Sequence, residues 1–233
     1  MFISAPFGNY IKSKNAISVT GSWTLEPRKG RLGQILKTLR WTRDGWINKL
    51  GLRNPGILEA ISNHKDNEVL SIASIDDGDW HELHKLIPKD YSVELNLSCP
   101  NVDESSIAGA ELFLSGSKRK WLICKVSPLI TETEIDYLLN LGFTQIHASN
   151  TIPVEKGGLS GKSIIPHTLR ILSYIKEYHP STIFIAGGGI TTTKDVIMYK
   201  DAGADYISIG TVCFNIFNLA RLLRYENNNT RNN

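Results

Sequence analysis

Eight short apolar runs rich in β-branched residues recur along the chain: FISA (2–5), AISVT (16–20), VLSIAS (69–74), VELNLS (93–98), WLICKV (121–126), TQIHAS (144–149), TIFIAG (182–187) and YISIG (206–210). Their apolarity is continuous rather than alternating, the pattern of strands covered on both faces. Between most of them the spacing lengthens to that of a helix. Ile135, Leu138 and Leu139 share a face in 134–142, as do Leu169, Leu172 and Ile175 in 163–179. The segment 191–205 opens on threonines suited to cap a helix and stops at Gly203. Strand and helix in alternation predict a parallel sheet with crossover helices.

Eight such strands suggest a closed (β/α)8 TIM barrel, with a doubly wound open sheet as the competing α/β architecture. A barrel places its chemistry at the C-terminal ends of its strands. The polar and glycine residues gather there: Asn96 to Asn101, Lys125, Ser149 to Thr151, Gly187 to Gly189, and Gly210 with Thr211. That agreement favours the barrel. Residues 1–226 read as one domain, since no linker or shift in composition divides them. Residues 23–67 are long for one connection and are expected to be functional. The asparagine-rich residues 227–233 read as a disordered tail.

Composition narrows the class. With 41% hydrophobic residues spread over 233, a wholly disordered chain is excluded. No run approaches the ~18 apolar residues of a membrane span. The start MFISAPFGNY lacks the basic and apolar stretches of a signal peptide. A net charge of +3 from 26 basic and 23 acidic residues is too mild to imply nucleic acid. Three cysteines, Cys99, Cys124 and Cys213, form no CxxC pair. The expectation is a reduced, soluble, cytoplasmic protein.

Three groups of residues carry candidate chemistry. IAGGGI (185–190) ends a strand before a helix, and Gly210-Thr211 ends the next. Glycines let backbone N–H groups approach an anion, and a helix N-terminus adds positive potential, so these strand ends suit a phosphate. Cys99, followed by proline at a strand end, is a candidate base; Cys124 lies within an apolar run. Lys125, inside ICKVSP, needs a negative partner, and an anionic ligand in the barrel mouth would serve. His81 and His84 read as an exposed polar face, and His147 as a hydrogen-bonded core residue. No set of metal ligands emerges.

The string VELNLSCPN (93–101) resembles the dihydroorotate dehydrogenase family, in its class 1 form with cysteine as the base. VTGSWTLEPRKG (19–30), INKLGLRNPG (47–56), ASNT (148–151), GGLSGKSIIP (157–166), AGGGI and ISIGT follow in family order, so the resemblance spans about residues 3–215. It implies a barrel carrying flavin mononucleotide (FMN), which oxidises dihydroorotate to orotate in pyrimidine synthesis. Cys99 would take a proton from the ring carbon beside a carbonyl while the adjacent carbon passes hydride to the flavin. Asn48, Asn96, Asn101, Asn150 and Thr151 would hold the pyrimidine, with Leu50, Gly51 and Leu52 closing a loop. Lys125 would stabilise the reduced flavin. Gly161, Gly188, Gly189, Gly210 and Thr211 would cradle the phosphate, while Ala5, Gly8, Asn96 and Ser149 would contact the flavin. The resemblance also implies a homodimer, with fumarate, or NAD through a partner subunit, as electron acceptor; with no N-terminal helical extension before the barrel, the membrane-bound quinone arrangement is not expected. Gly21 stands where family members usually carry lysine, and Lys49 is a candidate replacement for that charge. A related flavin enzyme, such as a dihydrouridine synthase, and a flavin- or phosphate-binding barrel without turnover are the alternatives.

Overall fold

The computed structural model describes residues 1–49, 51–76, 78–97 and 108–230. Eight strands close a parallel barrel: β1 (Phe2–Ile3), β2 (Ile17–Trp23), β5 (Glu68–Ile72), β6 (Val93–Asn96), β7 (Leu122–Val126), β8 (Gln145–Ala148), β11 (Ile183–Gly187) and β12 (Tyr206–Ile209). All eight apolar runs are barrel strands, and the open sheet is excluded because β1 pairs with both β2 and β12. Helices α2 (Ile57–Ser62), α3 (Asp79–Leu86), α4 (Glu132–Asn140), α5 (Ile165–Tyr178), α6 (Thr193–Asp201) and α7 (Ile216–Thr230) complete the alternation. Capping boxes start two of them, Thr131 with Glu134 on α4 and Thr192 with Asp195 on α6.

Side chains two apart on a strand point the same way, so each barrel strand presents one set inward and one outward. The outward set (Leu95, Cys124, Ile146, Phe184 and Ile207 among them) packs with Leu83, Leu138, Leu172 and Val196 of the helices. Inside, Phe2, Val19, Val69, Trp121, Ile123 and Ile185 form a separate apolar plug, with Tyr206 against it. Phe2, Trp121 and Tyr206 meet edge to face with ring centroids 5.0–5.8 Å apart. Two residues further along the same strands the inward positions are Ser4, Gly21, Ser71, Lys125, Gly187 and Ser208. The interior thus turns from apolar to polar in one step toward the mouth.

Two regions differ from the sequence expectation. Residues 23–67 hold α1 (Arg31–Thr38), α2 and the hairpin β3 (Arg40–Thr42)–β4 (Gly45–Asn48). That hairpin joins β9 (Ile152–Val154) and β10 (Gly157–Ser160) in an antiparallel sheet ordered β3-β4-β10-β9. The sheet was not legible because its strands are only three or four residues long and its two hairpins lie far apart in sequence. At the other end, α7 runs to Thr230, so residues 227–230 continue a helix rather than forming a structureless tail. Leu219 and Leu222 seat that helix in the core, and Glu226 pairs with the Met1 ammonium at 2.9 Å. Among the described residues, no helix is long and apolar enough to cross a membrane.

Candidate active site

Every barrel strand contributes its C-terminal end to one cavity of about 860 Å³. Ser4 and Ala5 follow β1, Gly21 and Ser22 close β2, and Ile75 follows β5. Asn96 and Lys125 come from β6 and β7, and Ser149, Asn150 and Thr151 follow β8. Gly188 with Gly189, and Gly210 with Thr211, follow β11 and β12. The antiparallel sheet forms an outer wall with Trp46, Asn48, Pro153, Val154, Gly157, Gly158 and Ser160.

Most expected site residues meet here. Asn48, Gly51, Leu52, Asn96, Asn150, Thr151, Lys125, Ala5, Ser149, Gly161, Gly188, Gly189, Gly210 and Thr211 all line the cavity. Gly8 does not. It is buried against β2, where a Cβ would lie 2.1 Å from the Val19 carbonyl oxygen, so its smallness serves packing. Cys99, Asn101 and Leu50 lie outside the described residues.

Hydrogen bonds organise the polar wall. The Asn150 side-chain amide donates to Asn96 Oδ1 at 3.4 Å, and Asn96 Nδ2 donates to Ser22 Oγ at 3.0 Å. Ser22 and Ser71 hydroxyls meet at 2.9 Å. On the opposite side, Ser149 and Thr168 hydroxyls lie 3.0 Å apart, and Thr168 donates to the Gly187 carbonyl. Gly188 and Gly189 have φ of 91° and 72°, and a Cβ on either would strike Ile164 or Ile165. Among the described residues, the N–H groups of Gly188, Gly189 and Gly210 meet no backbone carbonyl. They are available to an anion.

Below this wall is a buried ion group that the sequence reading only half anticipated. Lys125, 6% exposed, has its ammonium 3.7 Å from Glu94 Oε1, and Glu94 Oε2 lies 2.7 Å from His147 Nδ1. Burial alone would push the Glu94 carboxyl up. The Lys125 charge and the His147 hydrogen bond outweigh it, holding the group at about 2. Burial holds the His147 imidazole below its ordinary value against the pull of Glu94, so it is neutral. The need of a buried lysine for a negative partner pointed to such a group, but nothing local singled out Glu94. His81 is exposed as expected, whereas the His84 ring packs on Phe113 at 5.4 Å. No metal-ligand cluster exists among the described residues. Burial pushes the Cys124 thiol well up, as its apolar run suggested.

Gly21 has φ of 110°, and a Cβ there would lie 2.4 Å from the Ser71 carbonyl oxygen. A side chain at this position requires a different backbone. Lys49 lines the cavity near its exposed rim, with Arg28 and Arg53 close by in the same wall.

A closed parallel barrel whose eight strand ends feed one chamber has the plan of a barrel enzyme. Residues 7–222 match the family model for dihydroorotate dehydrogenase. The catalytic subunit of dihydroorotate dehydrogenase B (NAD(+)) from Thermotoga petrophila is 32% identical, over 90% of this chain and 88% of that protein. Dihydroorotate dehydrogenase A (fumarate) from Lactiplantibacillus plantarum is 26% identical, over 91% and 82%. The ligand-free dihydroorotate dehydrogenase structure from Eimeria tenella superposes with a TM-score of 0.68 at 20% identity, over 88% of this chain and 75% of that one. The chain belongs to the dihydroorotate dehydrogenase family, oxidoreductases acting on CH–CH bonds.

Proposed function

We propose that this protein oxidises dihydroorotate to orotate by the class 1 route, with flavin mononucleotide as its cofactor and Cys99 as its base. The observation that carries the reading is the single cavity in which Asn48, Asn96, Asn150 and Thr151 face Lys125 and the glycine-rich strand ends. The residues present fit the cofactor. The N–H groups of Gly188, Gly189 and Gly210, which meet no backbone carbonyl among the described residues, suit its phosphate, and the buried Lys125 suits a ring that becomes negative. When bound, the flavin supplies the hydride acceptor.

The rest falls to this chain. Asn48, Asn96, Asn101 and Asn150 donate to and accept from the pyrimidine edge, while Leu50, Gly51 and Leu52 close over it. Cys99 removes the proton from the carbon beside the carbonyl. Lys49 supplies a cation for the substrate carboxylate from the rim, since position 21 offers none.

Purified protein should carry flavin absorbance that bleaches on anaerobic dihydroorotate. Protein that takes up no flavin would overturn the reading. Colour that no dihydropyrimidine bleaches would support the second reading, a flavin barrel without this turnover, which the absence of a side chain at Gly21 favours.

A further inference from the structure

Glu94 and His147 play no part in the chemistry above, yet they form a deeply buried ionisable pair directly behind Lys125, which lines the cavity. Glu94 is 1% exposed and His147 2%. They stand on strands flanking β7, and Lys125 is in register with His147. The two Glu94 oxygens are used differently. Oε2 is engaged by His147 Nδ1, whereas among the described residues Oε1 accepts no hydrogen bond and lies 3.7 Å from the Lys125 ammonium. That separation is beyond hydrogen-bond length, so the carboxylate attracts the ammonium without using any of its three donors. Among the described residues, those donors stay available to the cavity that Lys125 lines.

A structural role alone accounts poorly for this arrangement. Buried ion pairs replaced by apolar residues of similar volume often leave stability unchanged or raised. The plug beneath shows that this barrel fills its interior with apolar side chains where nothing else is required. The carboxylate instead balances Lys125, the one cation that, among the described residues, faces the cavity from a barrel strand.

We propose that Glu94 is a positioning residue that fixes the charge and aim of Lys125 toward the bound flavin, and that His147 fixes Glu94 in turn. The proposal rests on the cofactor reading above. Without the carboxylate, the ammonium stands in a low-dielectric layer with no counter-ion and gives up its proton more readily. A neutral amine cannot stabilise a developing negative charge. Among the described residues, the other charged groups of the chamber wall are Arg28, Lys49, Arg53 and Glu155, with the Cys213 thiol pushed up by burial to about 12. All of them remain in the variants below, so differences between variants isolate the Glu94–Lys125 pair.

The test compares native protein with Glu94→Gln, Lys125→Met and the double variant. In Glu94→Gln, reducing the flavin should return a proton to Lys125. The midpoint potential should then steepen by about 30 mV per pH unit over part of the range from pH 6 to 9, one tenfold change per unit for a two-electron couple. The double variant should lack that extra slope. Parallel potential–pH lines for native and Glu94→Gln would overturn the proposal. Unfolding midpoints of the four flavin-free proteins provide a readout that needs no cofactor. Glu94→Gln should be destabilised at pH 7 and regain stability toward pH 10, where the unfolded chain no longer binds the extra proton. The double variant should recover most of the loss, even where Glu94→Gln itself does not fold. Native protein that binds no flavin would refute the cofactor reading while the unfolding series still decided the pairing. A double variant no more stable than Glu94→Gln would overturn the pairing itself.

Discussion

The lower and upper halves of the barrel interior are built by the same strands, two residues apart, and they obey opposite rules. Below, Phe2, Val19, Val69, Trp121, Ile123 and Ile185 exclude water and interlock. Above, Ser71, Glu94, Asn96, Lys125 and His147 keep polar groups out of water at a cost that hydrogen bonds and opposite charges only partly offset. The lower layer makes the barrel stable. The upper layer draws on that stability to hold a cation and a set of amides against a cavity. One turn of strand pleat separates the two tasks, so substitutions can address them separately.

The sharpest separation is expected at the base. Cys99→Ser should retain flavin and fold normally, yet slow flavin reduction by about 100- to 10,000-fold near neutral pH. Anaerobic stopped-flow absorbance measures this, and an undiminished rate would make Cys99 a structural thiol. The converse change is Trp121→Ala in the plug, where the indole meets Phe2 and Tyr206. It should lower unfolding stability by about 3–5 kcal/mol in urea titrations, while the folded fraction still takes up flavin. If flavin uptake by the folded fraction fell in step with stability, the two layers would not be independent.

Acid should attack the upper layer first. Glu94 is held at about 2 against an ordinary value of 4.5. Its contribution is therefore complete above pH 4.5 and is lost as pH falls toward 2, on the order of 3 kcal/mol. His147, held neutral, adds a loss that begins below its ordinary 6.5, because the unfolded chain then binds a proton the folded one refuses. Urea midpoints measured across this range should fall in native protein and flatten in Glu94→Gln below pH 4.5. An identical acid limb in both proteins would remove Glu94 from the account. The smallest effect belongs to the rim. Lys49→Ala should raise the Michaelis constant for dihydroorotate by about two- to fivefold with turnover preserved, since exposed charges contribute little. No change would discard Lys49 as the carboxylate's partner.

Legibility followed the range of the interactions. The eight barrel strands were readable because burial on both faces writes itself into consecutive residues. The glycine-bearing strand ends and Lys125 stood out as violations of local apolarity. Gly8 packs on β2 rather than lining the cavity, and a glycine gives the same letter whether it admits a ligand or a neighbouring strand. The sheet over the mouth escaped because its partners, Ile47 and Leu159, are set by pairing between segments far apart along the chain.

By itself the sequence determined the strand–helix alternation, the polar ends of the strands and the family string around Cys99, since each is a property of neighbours along the chain. Only the tertiary structure decided that Glu94 belongs to Lys125 and His147, that Gly21 has no room for a side chain, and that residues 40–48 and 152–160 share a sheet. The reason is physical. Barrel closure brings together inward side chains dozens of residues apart, and their charges and contacts acquire meaning only at the distances that closure imposes.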